Sequence, residues 1–240
     1  IKASDLEYII LLGMGGSSLA PEVLSKTFGS APGFPKLLML DSTHPAQVLS
    51  VENSVDIDKT LFIISSKSGG TVETIAFYNY FFEAAGKNGD QFIAITDPDS
   101  QLADIAEANG FRDLFLNPAN IGGRYSALSY FGLVPAALIG LDLKRIHNNV
   151  ESMIKACGPA ITNEGNPAVI LGGVIGALAA QGRDKIAIYA SESIVTFGQW
   201  VEQLVAESIG KEGKGVLPVV GATVGRPHDH ATDRTFVYLK

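Results

Sequence analysis

Ser66, Ser68, Thr71 and Thr74 place four hydroxyls within nine residues, interleaved with Lys67, Gly69 and Gly70. The stretch follows the apolar run Leu61 to Ile64 and precedes a helix-like segment from Ile75 to Ala85, so it forms a strand-to-helix turn. A turn of this kind is an anion site. The first N–H groups of a helix have no intrahelical partner and carry the positive end of the helix dipole, so a phosphate can sit there with little formal charge beside it. The glycines let the backbone approach closely, and the hydroxyls add side-chain donors. Capping is the simpler reason for serine and threonine at a helix start, but one cap needs one hydroxyl.

Acid–base chemistry has its best candidate in the run from Gln199 to Lys211. Gln203 and Glu207 are four residues apart and share a helix face. A carboxylate in the last turn is disfavoured by the dipole, which makes it a better base. A salt bridge from Glu207 to Lys211, also four residues on, is the plain alternative. Arg124 follows Gly122-Gly123 just before a helix start, where it either points into a cleft to stabilise developing negative charge or makes a surface salt bridge. Near the N-terminus, Gly13-Met14-Gly15-Gly16-Ser17-Ser18 follows the aliphatic run Tyr8 to Leu12. A dinucleotide loop would need its third glycine where Ser18 stands, so Gly16 and Ser17 fit a second hydroxyl-bearing turn better than a cofactor loop. His147, among charged neighbours, reads as a solvated face residue.

The elements that must position these groups are legible as alternating units. Strand runs at Tyr8 to Leu12, Lys36 to Leu40, Leu61 to Ile64, Gln91 to Ile95 and Asp113 to Leu116 are separated by helical segments, the pattern of a parallel sheet covered on both faces. The glycine turns then lie at the carboxyl ends of the strands, where such sheets bind ligands. A polar passage from Gly158 to Asn166 divides a first domain, 1–157, from a second, 158–240. The uncharged segment Pro167 to Ala180 is expected as a helix buried between layers. Further strands are expected at Lys185 to Tyr189, Val216 to Val220 and Thr235 to Leu239, with a helix at Thr196 to Ser208. The final strand has no covering helix, and Ile1 stands where an initiator Met would, so the chain is expected to be a fragment or processed product.

Composition limits the function classes. The chain has 240 residues, 46% of them hydrophobic, with 26 glycines and a net charge of −7, which suits an α/β enzyme rather than a disordered or fibrous chain. The basic residues are scattered, which argues against a nucleic-acid surface. Cys157 is the lone cysteine, so neither a disulfide framework nor a multi-thiol metal site is available, as in a reducing cytoplasm. No apolar run approaches the ~18 residues of a membrane span.

Gly13-Met14-Gly15-Gly16-Ser17, Ser66 through Thr74, Gly122-Gly123-Arg124-Tyr125-Ser126 and Glu207-Ser208-Ile209-Gly210-Lys211 occur in the order seen in phosphoglucose isomerases, and the chain resembles the isomerase part of bacterial transaldolase/glucose-6-phosphate isomerase fusions. The resemblance implies two sugar-isomerase (SIS) type α/β units with parallel sheets, the second truncated. It also implies interconversion of glucose 6-phosphate and fructose 6-phosphate through a cis-enediol, with no metal or cofactor, in a homodimer of the full-length protein. By position it assigns phosphate binding to Ser66, Ser68, Thr71, Thr74 and the Lys67 amide, and the sugar site to Gly16 and Ser17. Substrate contact falls to Gln203, enediolate stabilisation to Arg124 and the base to Glu207. The family's ring-opening histidine falls on His228, on His230 or on neither, and its C-terminal lysine is not matched by Lys240, which sits on a strand run. The alternative from another class is a non-catalytic sugar-phosphate-binding module, which would need neither Arg124 nor the Gln203/Glu207 face.

Overall fold

The computed structural model describes residues 5–240, so Ile1, on which part of the fragment expectation rested, lies outside the described residues. The chain forms two compact units, one ending at Leu141 and the other beginning at Asp142. In the first, Tyr8–Gly13 (β1), Lys36–Leu40 (β2), Thr60–Ser65 (β3), Phe92–Thr96 (β4) and Asp113–Leu116 (β5) form a wholly parallel sheet in the order β2-β1-β3-β4-β5. Helices Leu19–Phe28 (α1), Pro45–Glu52 (α2), Val72–Ala84 (α3), Gln101–Ala108 (α4) and Tyr130–Leu138 (α5) alternate with and follow these strands. Near-continuous apolar strands need cover on both faces, and they have it.

The side-chain period of two divides the strands between two cores. Ile10, Leu12, Phe62, Ile64, Phe92 and Ala94 face the aromatic residues Phe77, Tyr78, Phe81 and Phe82 of α3. Ile9, Leu11, Leu61, Ile63, Ile93 and Ile95 face Phe131, Val134 and Ile139 on the other side. Phe62 stacks on Phe92 with ring centroids 4.9 Å apart, and Phe81 lies 5.1 Å from Phe62. Such ring pairs add about 0.5–1.5 kcal/mol each beyond their buried area, which anchors α3 to the middle of the sheet. The winding reverses between β1 and β3, so a crevice opens at the carboxyl ends of these two strands.

The second unit contains helices Leu143–Ala156 (α6), Pro167–Ala180 (α7) and Phe197–Ser208 (α8). Its strands are Lys185–Ala190 (β6), Gly210–Lys211 (β7), Lys214–Gly215 (β8), Leu217–Val220 (β9) and Arg234–Leu239 (β10). Three of them are parallel in the order β10-β6-β9. Taken from its central strand, this sheet repeats the β2-β1-β3 arrangement that opens the first unit. The remaining two, β7 and β8, pair as a short antiparallel ribbon that the sequence did not disclose.

Two expectations differ from the structure. The units divide before α6 rather than at 157/158, because the Asp142 side chain accepts from the Arg145 N–H at 3.0 Å and starts a new helix at once. The passage Gly158 to Asn166 is instead the α6–α7 connection. Helix α7, expected between layers, has no buried residue: Val169, Ile170, Leu171 and Val174 are 45–55% exposed. Its uniform hydrophobicity showed only that no face is polar, and what covers a helix is not a local property.

Burial and the nearby Asp41 carboxylate hold the Glu22 carboxyl above its ordinary range, against a smaller lowering from Lys26. The folded state therefore holds this proton more tightly than the unfolded state, and the resulting stability is fullest at acid pH and lost as pH rises through the raised pKa. Glu22→Gln should stabilise the fold at neutral pH by less than about 1 kcal/mol, given solvent screening of a half-exposed group, with no gain below the ordinary carboxylate range. Urea unfolding at the two pH values measures the difference.

Candidate active site

Three loops of the first unit meet at the carboxyl ends of its strands. The Ser65 hydroxyl, fully buried at the end of β3, donates to the Ser17 carbonyl at 2.9 Å. The Ser126 hydroxyl lies near the carbonyls of both Gly16, at 2.9 Å, and Gly123, at 2.6 Å. A Cβ on Gly16 would lie 2.4 Å from the Gly123 oxygen, so the first glycine turn and the Arg124 turn touch backbone to backbone. Asn117, fully buried, accepts from the Tyr130 N–H at 3.2 Å and so ties the start of the Arg124 loop to α5. These ties bring Gly16, Ser17, Ser66 through Thr74 and Arg124 to one end of one sheet.

In the turn before α3 the hydroxyls bond within the turn rather than cap the helix. Thr71 is the N-cap residue, yet its side chain makes no cap hydrogen bond. The Ser66 and Thr71 hydroxyls are 3.0 Å apart, those of Ser68 and Thr71 are 3.4 Å apart, and the Gly69 N–H donates to Ser66 Oγ at 3.1 Å. Gly69 has a φ of +69°, and a Cβ there would lie 2.6 Å from that of Ser100, so this turn cannot carry a side chain at that point. The Thr74 hydroxyl is fully buried without a hydrogen-bond partner among the described residues. A buried donor left unpaired costs about 1–3 kcal/mol. An anion seated on the turn would accept from it and from the first N–H groups of α3. Lys67 directs its ammonium elsewhere, to Asp97 and to the Ala119 carbonyl at 3.2 Å.

Arg124 lies in the 3-10 turn Gly123–Leu128, half-buried, with its guanidinium 4.9 Å from the centroid of the Tyr125 ring. In the second unit Gln203 and Glu207 do share a face of α8: the Gln203 amide donates to Glu207 Oε1 at 2.9 Å, and Glu207 is exposed. Lys211, the other candidate partner of Glu207, lies in the β7–β8 ribbon. His228 is exposed, with Nε2 3.5 Å from Asp229, whereas the His230 ring packs edge-on against Phe236 at 5.1 Å. His147 is exposed on α6, as expected of a solvated residue. Sequence reasoning missed Ser65, Ser126 and Asn117 as the residues that join the loops. Asn117 stands before Pro118, but nothing local marked Ser65 or Ser126, whose partners Ser17 and Gly16 are distant in the chain.

A model of the phosphoglucose isomerase family matches residues 2–218. The chain belongs to the phosphoglucose isomerase family. It is 32% identical over 235 residues to the glucose-6-phosphate isomerase of Methanocaldococcus jannaschii, a match covering 94% of this chain and 55% of that protein. It is 37% identical over 216 residues to that of Cyanothece sp., covering 85% and 40%. Among solved structures, a hypothetical protein of Thermus thermophilus superimposes with a TM-score of 0.84 at 26% identity, covering 98% of this chain and 59% of that one. A glucose-6-phosphate isomerase from Chlamydia trachomatis shares the fold with a TM-score of 0.76 at 23% identity, covering 92% and 46%. The chain spans about half the length of the curated relatives it matches. The match to the family ends before His228 and His230.

Gly16→Ala should force the two turns apart at a cost of about 1–3 kcal/mol, read from urea unfolding. Thr74→Val should leave stability unchanged or raise it, since it removes an unpaired buried hydroxyl, while weakening binding of inorganic phosphate in a calorimetric titration. Unchanged phosphate affinity in Thr74→Val would remove that hydroxyl from the anion site.

Proposed function

We propose that this chain carries the sugar-phosphate site of a glucose-6-phosphate isomerase, with the turn from Ser66 to Thr74 as the phosphate anchor. The observation that carries the proposal is the family match itself, which spans the anchor turn, Arg124, Gln203 and Glu207. The buried, unpaired Thr74 hydroxyl at a helix start supports the anchor. In this reading the phosphate takes hydrogen bonds from the Ser66, Ser68, Thr71 and Thr74 hydroxyls and from backbone N–H groups, including that of Lys67. Gly16 and Ser17 line the sugar.

The reaction moves one proton between neighbouring carbons. Glu207 takes the proton from C2 of the open-chain aldose, the electron pair passes to the carbonyl oxygen on C1, and Arg124 stabilises the enediolate that results. Return of the proton to C1, with the C2 hydroxyl proton passing to the C1 oxygen and the C2 oxygen becoming the carbonyl, yields the ketose. Gln203 holds the Glu207 carboxylate and contacts the substrate. Of the two histidines, His228 has the accessible imidazole and is the candidate for ring opening, since the His230 ring is engaged by Phe236. The substrate partner is a small sugar phosphate, the assembly a homodimer of the full-length protein, and the compartment the cytoplasm.

In the full-length protein that carries this chain, Glu207→Gln should lower the rate of fructose 6-phosphate isomerisation about 10²–10⁴-fold, the usual worth of a positioned base. Binding of the sugar phosphate should persist. Equal turnover would sink the base assignment. Binding without turnover in the unaltered protein would favour the non-catalytic module.

A further inference from the structure

Lys67 stands in the middle of the anchor turn, yet its ammonium is spent inside the protein. It pairs with the Asp97 carboxylate, in the loop after β4, and donates to the Ala119 carbonyl at 3.2 Å, in the loop after β5. The main chain repeats the link: the Asp97 N–H donates to the Lys67 carbonyl at 3.1 Å, and the Thr96 hydroxyl donates to the same oxygen at 3.4 Å. The Lys67 and Asp97 side chains are only 33% and 14% exposed, so this pair is shielded more than a surface ion pair. The loop that Lys67 grips at Ala119 runs on through Gly122 and Gly123 to Arg124.

We propose that Asp97 is a positioning residue: by holding the Lys67 ammonium against the Ala119 carbonyl, it fixes the Arg124 loop relative to the anchor turn and withholds the lysine charge from the bound phosphate. The inference rests on the preceding reading of the anchor and of Arg124. Two consequences separate it from a merely structural role. Asp97→Asn frees a cation beside the anion site while loosening the Arg124 loop, so catalysis falls without loss of substrate affinity. Lys67→Met loosens the same loop with no cation released, so catalysis falls and affinity does not improve.

The test uses the full-length protein that carries this chain, with fructose 6-phosphate turnover, inorganic phosphate titration and amide hydrogen exchange of the segment 117–124. Both variants should lower kcat about tenfold to a hundredfold, the scale of a small misplacement of a charge-stabilising group. KM should stay level or fall in Asp97→Asn, and phosphate should bind that variant more tightly than Lys67→Met. The double variant should be no slower than either single one, because each breaks the same link, and Lys67→Arg should restore most of kcat. Exchange of 117–124 should quicken in both single variants. Unchanged exchange with unchanged kcat in Asp97→Asn would overturn the proposal, as would a raised KM or an additive double variant. Quickened exchange in a protein that binds phosphate but turns over no sugar phosphate would support the tie while sinking the isomerase reading.

Discussion

The first N–H groups of an α-helix have no partner within the helix, and in this chain those of α3 open where the five-stranded sheet reverses its winding. That coincidence organises the first unit. The aromatic face of α3 packs on Phe62 and Phe92 in the centre of the sheet, so the helix start is held at the carboxyl ends of β1 and β3. The loops that build this end are then tied to one another by short polar contacts: Ser65 to Ser17, Ser126 to Gly16 and Gly123, Lys67 to Asp97 and Ala119. The proposed anion site would draw on backbone dipoles and hydroxyls, and the lysine within its turn is paired with a carboxylate. In the proposed reading, this is how a chain with a net charge of −7 would offer a place to a phosphate.

The second unit repeats the opening strand arrangement of the first on a smaller sheet, and it carries the Gln203–Glu207 pair. Gln203 and Glu207 are neighbours because a helix returns to the same face every four residues, and the hydrogen bond between them orients the carboxylate. The exposed apolar length of α7 belongs to the same unit. The match to the phosphoglucose isomerase family takes in residues of both units.

Much of this was legible without coordinates wherever the signal was local. The strands at Lys36–Leu40 and Asp113–Leu116 and the helices at Leu143–Ala156 and Pro167–Ala180 fall where apolar runs and helical spacing put them. Clustered hydroxyls with glycines marked the turn before α3, and a four-residue spacing marked the Gln203–Glu207 pair. The boundary at Leu141, the exposure of α7 and the β7–β8 ribbon were not legible, since each depends on what packs against what.

The sequence by itself determined the α/β alternation, the hydroxyl-rich helix start and the family, because periodicity, turn chemistry and ordered motifs are written in neighbouring residues. Only the tertiary structure decided that the Thr71 hydroxyl is not spent on capping, that Thr74 is buried without a partner among the described residues, and that Lys67 faces Asp97 and Ala119. Those outcomes depend on which carbonyls and carboxylates lie within about 3 Å of a side chain, the reach of a hydrogen bond. Such neighbours come from loops thirty to fifty residues away, placed by the order in which the sheet is wound.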